Sequence, residues 1–175
     1  MMQLERASES DYPAIISLVN AAYRGTGGAE SWNIETGIIE GTRLTESLLR
    51  QDLAAKPDTH SMVTRDPESH AIIGTVWLEP RHDDVWYLGL FTIEPALQKA
   101  RLGRALLSAA EDFARAHGAQ SMRMSVLGVR TTLICWYERR GYHRTGETEP
   151  YPYGDNRFGT PLRNDLNFVI LLKQL

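Results

Sequence analysis

The chain has 175 residues, 42% of them hydrophobic and 23% charged, and this length and balance predict a single globular domain with one sizeable core. A formal net charge of −3 disfavours a nucleic-acid-binding protein, and a single cysteine, Cys135, excludes both an internal disulfide and a paired-cysteine metal site. Because no stretch has the apolar length of a signal peptide or a membrane span, we expect a cytoplasmic protein that binds neither membranes nor nucleic acids.

The first third of the sequence predicts one short strand and two helices. Residues 4–7 favour a strand, and residues 8–22 contain a helix start followed by apolar residues at helical spacing. The glycine-rich stretch 24–43 predicts a loop or an irregular helix. Thr45 is a suitable N-cap for a second helix, Glu46–Ala55, which ends before a proline.

The period of the apolar residues then changes from helical to extended. Strands are predicted at residues 61–64, 71–78 and 85–93, and polar turns separate them. Three strands joined by short turns predict an antiparallel meander.

A helix and a further strand follow the meander. Pro95 ends the third strand, and an amphipathic helix begins near Arg101 and ends at Gly118. A strand at residues 121–127, pairing with the third meander strand across this helix, would make a parallel strand–helix–strand unit.

The last quarter of the chain predicts one helix, two strands and a long loop. A helix at residues 131–140 ends at Gly141, and residues 142–146 favour a short strand. Residues 147–164 contain three prolines and predict a loop, after which an apolar strand at 166–172 closes the sheet.

The turn between the third meander strand and the next helix has the features of an anion-binding site. Unpaired backbone N–H groups and the positive end of the helix dipole lie at the same place. The sequence has neither the GxxxxGK[ST] pattern of a nucleotide P-loop nor the GxGxxG pattern of a dinucleotide site. The pyrophosphate of coenzyme A is the remaining candidate, and the residues that would bind it are Gln98, Lys99, Ala100, Arg101, Leu102, Gly103 and Arg104.

Two sequence motifs resemble a known family. Residues 93–107, IEPALQKARLGRALL, resemble the acyl-CoA motif of the GNAT superfamily of N-acetyltransferases, a strand ending in V-x-P followed by [QR]-x-x-G-x-[GA] and a helix. Residues 137–142, YERRGY, resemble the Y-x-x-x-G-[FY] segment that follows it at the usual distance. The order of the predicted elements also matches that family over nearly the whole chain.

The resemblance implies a fold and a cofactor. The fold would be a layered α/β structure with a mixed, mostly antiparallel sheet of six to seven strands and about four flanking helices, formed by one domain over residues 1–175. Acetyl-CoA would be the co-substrate, without a metal ion. The third meander strand would splay from its parallel neighbour, so that Phe91, Thr92 and Ile93 leave backbone groups for the pantetheine amides.

The sequence departs from the family pattern at two places. Arg101 stands where the first glycine of the loop usually lies, which keeps the backbone N–H and adds a guanidinium that could contact phosphate. Arg130 and Leu133 stand where many members have asparagine and alanine, so an asparagine contact to the cofactor is not carried over.

The resemblance also implies catalytic roles. Tyr137 is the candidate general acid, because a phenol can protonate the thiolate that leaves when an amine attacks the thioester. The resemblance does not supply a general base; Glu79, at the end of a predicted strand, is the candidate, ahead of His82, Asp83 and Asp84 in the turn that follows. Cys135 lies between two bulky apolar residues without a histidine or carboxylate at a telling spacing, so packing is favoured over a nucleophilic role.

Two loops, residues 23–43 and residues 151–158, are expected to bind the acceptor and are called the acceptor loops, because such loops set specificity on a shared scaffold. Their candidate lining residues are Trp32, Glu35, Arg43, Tyr151 and Tyr153. The sequence therefore predicts direct acetyl transfer from acetyl-CoA to a primary amine of a small-molecule or amino-acid-like acceptor. Two alternatives stay open: a non-catalytic acyl-CoA-binding module, and acetylation of a protein N-terminus or lysine. A homodimer is also left open.

Overall fold

The computed structural model describes residues 1–26 and 34–175, with the side chains of all of these except Lys99 and Ala100. Within these ranges the chain forms β1 (Glu5–Arg6), α1 (Tyr12–Arg24), β2 (Ile39–Glu40), α2 (Glu46–Ala55), β3 (His60–Arg65), β4 (Ile72–Pro80), β5 (Val85–Ile93), α3 (Leu102–Ala116), β6 (Ser121–Leu127), α4 (Thr131–Glu138), β7 (His143–Pro150), β8 (Thr160–Pro161) and β9 (Asn167–Gln174).

A seven-stranded sheet has the order β1-β3-β4-β5-β6-β9-β7. All neighbouring strands are antiparallel except β5 and β6, which are parallel and joined across α3. The mixed α/β fold with a mostly antiparallel sheet and four helices is therefore confirmed, together with the parallel strand–helix–strand unit.

Apolar side chains cover both faces of this sheet because successive residues of a strand point to opposite sides. Val76 and Leu78 of β4 pack with α3 and α4 in the larger core. Trp77, between them, packs in a second core with Ile15 of α1 and Leu49 of α2. The sheet thus holds two helices against each face.

The strands β5 and β6 separate after a short paired segment. Their parallel register covers Val85–Tyr87 against Ser121–Arg123, whereas β6 continues against β9 to its end. On its other edge β5 has a bulge, because Thr92 pairs with Thr75 while Gly89 pairs with Trp77. Leu90 in the bulge has a φ of 46°. The splay that the resemblance implied is present.

The predicted loop at residues 147–164 is wrong in its first part. Residues up to Pro150 extend β7, because Thr148, Glu149 and Pro150 pair with β9 after a bulge that contains Gly146. Gly146 has a φ of 87°, a conformation that glycine adopts readily. Pairing with a distant strand therefore overrides the local loop signal.

A second, two-stranded sheet forms from β2 and β8. Ile39 of β2 packs with Leu127 at the end of β6 and with Tyr151. This second sheet brings the loop after α1 together with the loop after β7, next to the point where β5 and β6 separate. None of the described helices has the length and apolar character needed to cross a membrane.

Candidate active site

Two cavities lie beside the splay. The first has a volume of about 420 Å³ and is called the arginine cavity; it is lined by Gln98, Arg101, Gly103, Arg104, Thr132, Leu133, Trp136, Arg139 and Arg140. The second has a volume of about 290 Å³ and is called the tyrosine cavity. Its lining includes Tyr23, Tyr87, Phe91, Tyr137, Tyr151, Phe158 and Phe168, together with Arg24, Glu35, Arg43, Arg130 and Leu133. Because Leu133 lines both, the cavities are adjacent.

The N-terminus of α3 faces the arginine cavity. A 3-10 turn, Pro95–Ala100, leads from β5 to the helix, and the side-chain amide of Gln98 donates to the Ile93 carbonyl at 3.2 Å. The first helical hydrogen bond joins the Ala105 N–H to the Arg101 carbonyl, so the N–H groups before Ala105 have no intrahelical acceptor. These donors and the helix dipole favour a bound anion.

Four arginines supply positive charge to the arginine cavity. None of Arg101, Arg104, Arg139 and Arg140 forms an ion pair with a carboxylate of the described residues. The Arg140 guanidinium lies 3.5 Å from the centre of the Trp136 ring and donates to the Trp136 carbonyl at 2.7 Å. Its Nε is buried with no hydrogen-bond partner, and burial and then the neighbouring Arg139 lower its pKa. This donor set fits a polyanion such as linked phosphates.

Tyr137 lines the tyrosine cavity, one helical turn after Leu133, the residue that lines both cavities. The residue is 4% exposed, and its ring contacts Phe91 and Trp136 at centroid distances of 6.3 and 5.0 Å. Burial, and then the neighbouring Tyr23, raise the pKa of the phenol above its usual value. The side chain is therefore neutral and protonated at physiological pH.

Two further tyrosines line the same cavity. The Tyr23 hydroxyl donates to the Phe91 carbonyl at 3.4 Å, and Tyr87 forms a hydrogen bond with Ser125 of β6. Burial raises the pKa of both phenols. The backbone of the β5 bulge is thus held by a side chain from α1.

Arg24 connects three segments around the tyrosine cavity. Its guanidinium pairs with Glu35 at 2.6 Å, donates to the Gly41 carbonyl at 2.9 Å and also donates to the Phe158 carbonyl. The Arg24 and Glu35 side chains are 5% and 7% exposed. One buried ion pair therefore fixes the end of α1 to both acceptor loops.

Arg43 lies between two aromatic rings of this cavity. Its guanidinium carbon is 5.4 Å from the centre of the Tyr23 ring and 4.9 Å from that of Phe158. Its backbone N–H donates to the Asn20 side chain at 2.8 Å. The structure thus places Glu35, Arg43 and Tyr151 of the predicted acceptor set together, with Tyr137.

Other predicted residues lie elsewhere. Tyr153 is 45% exposed and does not line either cavity; its hydroxyl donates to the Arg163 carbonyl at 2.9 Å and accepts from the Leu166 N–H at 3.0 Å. Trp32 is outside the described residues. Of the predicted cofactor set, Thr92 and Ile93 are buried in β5, Leu102 packs against the larger core, and Lys99 and Ala100 lie in the 3-10 turn.

Glu79 does not line either cavity. Its carboxylate accepts from Lys56 at 3.0 Å, from the Trp77 indole at 3.1 Å and from Arg81 at 3.2 Å. Burial acts to raise its pKa, but these donors outweigh it, so the pKa lies below its usual value. A carboxylate held in this way is a weak base.

The sequence reasoning did not single out Tyr23, Tyr87, Arg24, Arg139 or Arg140. Arg139 and Arg140 directly follow the motif tyrosine and its neighbour, so a search for basic residues on that segment would have found them. Tyr87 and Arg24 carry no local signal, because their positions depend on how β5 and α1 pack against the acceptor loops. The described residues contain no group of three or more histidine, cysteine or carboxylate side chains that could share a metal ion.

A family model and several solved structures match the chain. The sequence model of the acetyltransferase (GNAT) family matches residues 28–142. No curated protein matches the chain by sequence.

Solved structures share the fold over the full length of the chain. A ribosomal-protein-alanine N-acetyltransferase from Brucella melitensis is 17% identical with a TM-score of 0.71, covering 99% of this chain and 100% of that one. A ribosomal-protein-S18-alanine N-acetyltransferase from Escherichia coli is 16% identical with a TM-score of 0.65, covering 99% and 94%. An IAA acetyltransferase from Bacillus cereus is 14% identical with a TM-score of 0.65, covering 100% of both chains.

Proposed function

The chain belongs to the acetyltransferase (GNAT) family, and we propose that it transfers the acetyl group of acetyl-CoA directly to the primary amine of a small-molecule acceptor. The observation that carries the proposal is the adjacency of the two cavities across Leu133 beside the splayed strands. One cavity has unneutralised cations suited to phosphates, and the other has aromatic walls suited to an organic acceptor.

The arginine cavity would bind the phosphates of acetyl-CoA. Backbone N–H groups at the start of α3 and the guanidinium groups of Arg101, Arg104 and Arg139 would contact them. The buried, unpartnered Nε of Arg140 supports a ligand there, because such a donor is seldom left without an acceptor. The thioester, when bound, supplies the activated acetyl group.

Tyr137 would act on the leaving sulfur. The amine nitrogen would form a bond to the thioester carbonyl carbon, the carbon–sulfur bond would break with its electron pair moving to sulfur, and the proton that the nitrogen loses would return through water to Tyr137 after Tyr137 has protonated the sulfur. Because burial keeps Tyr137 protonated, its hydroxyl can donate to the developing thiolate, and the same burial would raise the pKa of the thiol that receives the proton. We assign no catalytic role to Glu79, because two cations hold its carboxylate outside the cavity.

The small volume and the aromatic lining of the tyrosine cavity favour a small acceptor over a protein. Its volume is about 290 Å³, and aromatic side chains from both acceptor loops surround it. Two of the structures above are named as ribosomal-protein-alanine N-acetyltransferases, at an identity that indicates only a shared fold. Peptides with a free N-terminal alanine therefore belong in the substrate panel as the competing class.

A thiol-release assay with acetyl-CoA and a panel of amines and peptides tests the proposal. We expect turnover with small amines, and a fall in kcat of about a hundredfold in Tyr137→Phe with little change in the KM for acetyl-CoA. Tyr12→Phe, a tyrosine remote from both cavities, is the matched control. Equal turnover of Tyr137→Phe and the wild type at every pH would remove Tyr137 from the mechanism. Tight binding of CoA without turnover on any amine or peptide would instead indicate a non-catalytic module.

A further inference from the structure

The tyrosine cavity contains a guanidinium without a counter-ion. Arg43 is partly buried and forms no ion pair with any described residue, and its guanidinium group is held between the rings of Tyr23 and Phe158. Two aromatic contacts keep the side chain in place without using its outward-facing donors. Arg43 is therefore a preorganised cation whose guanidinium has no hydrogen-bond acceptor within residues 1–26 and 34–175.

A second donor in this cavity also has no partner. Tyr151 is 4% exposed, and its hydroxyl is buried without a hydrogen bond in the described part of the chain. Its ring is fixed by Phe168 at 5.9 Å and by Tyr153 at 5.0 Å, measured between ring centres. Burial and then the nearby Glu35 raise the pKa of this phenol, while the positive charges of Arg24 and Arg43 act in the opposite direction.

The two carboxylates that line the cavity are already paired with other cations, and Arg130 adds a second positive charge to its wall. Glu35 pairs with Arg24 at 2.6 Å, and Glu149 accepts from Arg123 at 3.3 Å. An anion next to Arg43 would therefore add the missing charge without displacing an existing pair. Two donors that lack acceptors call for a group that only accepts, and a carboxylate has the planar shape that a guanidinium binds through two parallel hydrogen bonds.

We propose that the acceptor is an amino acid whose carboxylate is bound by Arg43 and Tyr151, so that these two residues determine specificity for carboxylate-bearing amines. The inference rests on the proposed acetyl transfer and narrows its substrate class. The remaining walls of the cavity, among them Leu88, Phe91 and Val126, are apolar. They favour an aromatic or branched apolar side chain on that amino acid.

Matched sets of amines that differ only in the carboxylate test this proposal. One set is L-phenylalanine, L-phenylalaninamide and 2-phenylethylamine; the second is L-leucine, L-leucinamide and isopentylamine. We expect kcat/KM of thiol release to be at least about tenfold higher for the free acids. The amides have the less basic amines and would react faster if the carboxylate were not recognised, so a preference for the acids is a stringent result.

Variants of the two donors separate recognition from folding. Arg43→Gln and Tyr151→Phe should raise KM for the acids about tenfold and leave the amides within about twofold. Because the Tyr151 hydroxyl has no partner, Tyr151→Phe should unfold at the same or a higher temperature than the wild type. Arg163→Gln, which removes an exposed arginine paired with Asp165, controls for the change in net charge.

A binding measurement keeps this inference distinct from the proposed reaction. Calorimetry with 3-phenylpropionate and 3-phenylpropanamide, neither of which has an amine, reports recognition of the carboxylate alone. Binding of the acid that is lost in Arg43→Gln supports the anion site even if no amine is acetylated. Acetylation of all members of a set with equal kcat/KM, or an equal loss for acids and amides in Arg43→Gln, overturns the inference and leaves the proposed transfer intact.

Discussion

Arg101 combines a left-handed backbone at the start of α3 with a side chain that lines the arginine cavity. Two substitutions separate the effect of the backbone from that of the guanidinium. Its φ of 60° and ψ of 14° lie in the left-handed region, which is unfavourable for any residue with a Cβ by about 1 kcal/mol. Arg101→Ala keeps this backbone strain and removes the guanidinium. Arg101→Gly removes both, since glycine adopts positive φ without strain.

The stabilities of the two variants should differ. Glycine gains about 1 kcal/mol over alanine at this backbone conformation, even after the greater freedom of glycine in the unfolded chain is included. We therefore expect the free energy of unfolding of Arg101→Gly to exceed that of Arg101→Ala by about 1 kcal/mol, measured by urea denaturation. Equal free energies of unfolding for Arg101→Gly and Arg101→Ala would contradict backbone strain at this residue.

The affinities for CoA should fall together. Because Arg101 is exposed, its contact with phosphate is screened, and losing it should weaken CoA binding by about 1 kcal/mol, or about fivefold in Kd, at low salt. The difference from the wild type should shrink at high salt. Arg115→Ala, which removes an exposed arginine from the far end of α3, is the control. An unchanged Kd in both variants would show that the guanidinium does not contact the cofactor, and tighter binding by Arg101→Gly would show that the backbone limits its approach.

Two further predictions concern buried charges. Arg24→Gln leaves the carboxylate of Glu35 buried without its cation, so we expect a loss of about 3 kcal/mol in unfolding free energy, and the added substitution Glu35→Gln should recover part of it. For Asp11, burial acts to raise the pKa, but hydrogen bonds from the Ser8 N–H and from Arg65 outweigh it, so the folded pKa lies below the usual value. Its contribution is present above the unfolded pKa and is lost as the pH falls through the folded pKa. Asp11→Asn should therefore destabilise the protein by about 1 kcal/mol at neutral pH and have little effect once wild-type Asp11 is protonated, and urea titrations at several pH values measure this. A destabilisation by Asp11→Asn that is independent of pH would contradict the assignment.

Local sequence signals were sufficient to predict the bounds of an element where the residues that end it lie within or next to the element. The helix Glu46–Ala55 has the predicted bounds, because the Thr45 hydroxyl accepts from the Leu48 N–H at 3.2 Å and a proline follows the helix. The strands Val85–Ile93 and Ser121–Leu127 also have the predicted bounds, since their apolar runs end at turn residues. Signals of this kind act over a few residues and need no tertiary contact.

Local sequence signals were not sufficient to predict all residues of the candidate site. The sequence motifs identified Tyr137 and the turn before α3, whose chemistry depends on residues close together in the chain. Glu79 was predicted as the base from its place at a strand end, but the cations that hold its carboxylate come partly from α2, at Lys56. No local pattern reports that contact.

The sequence by itself determined the family, the strand–turn–helix that presents backbone donors, and the tyrosine that follows it. Each of these is encoded by short-range spacing: apolar period, turn residues and helix termini. The resemblance to the family implied the separation of β5 from β6, whereas the tertiary structure alone decided the left-handed backbone of Arg101 and the residues that line the tyrosine cavity. Arg43 and Tyr151 are more than a hundred residues apart, and only packing of the two acceptor loops around Arg24 brings their unpartnered donors into one cavity. Charge compensation is a property of neighbours in space, and for that reason the lack of a counter-ion for Arg43 among the described residues could be found only in the folded chain.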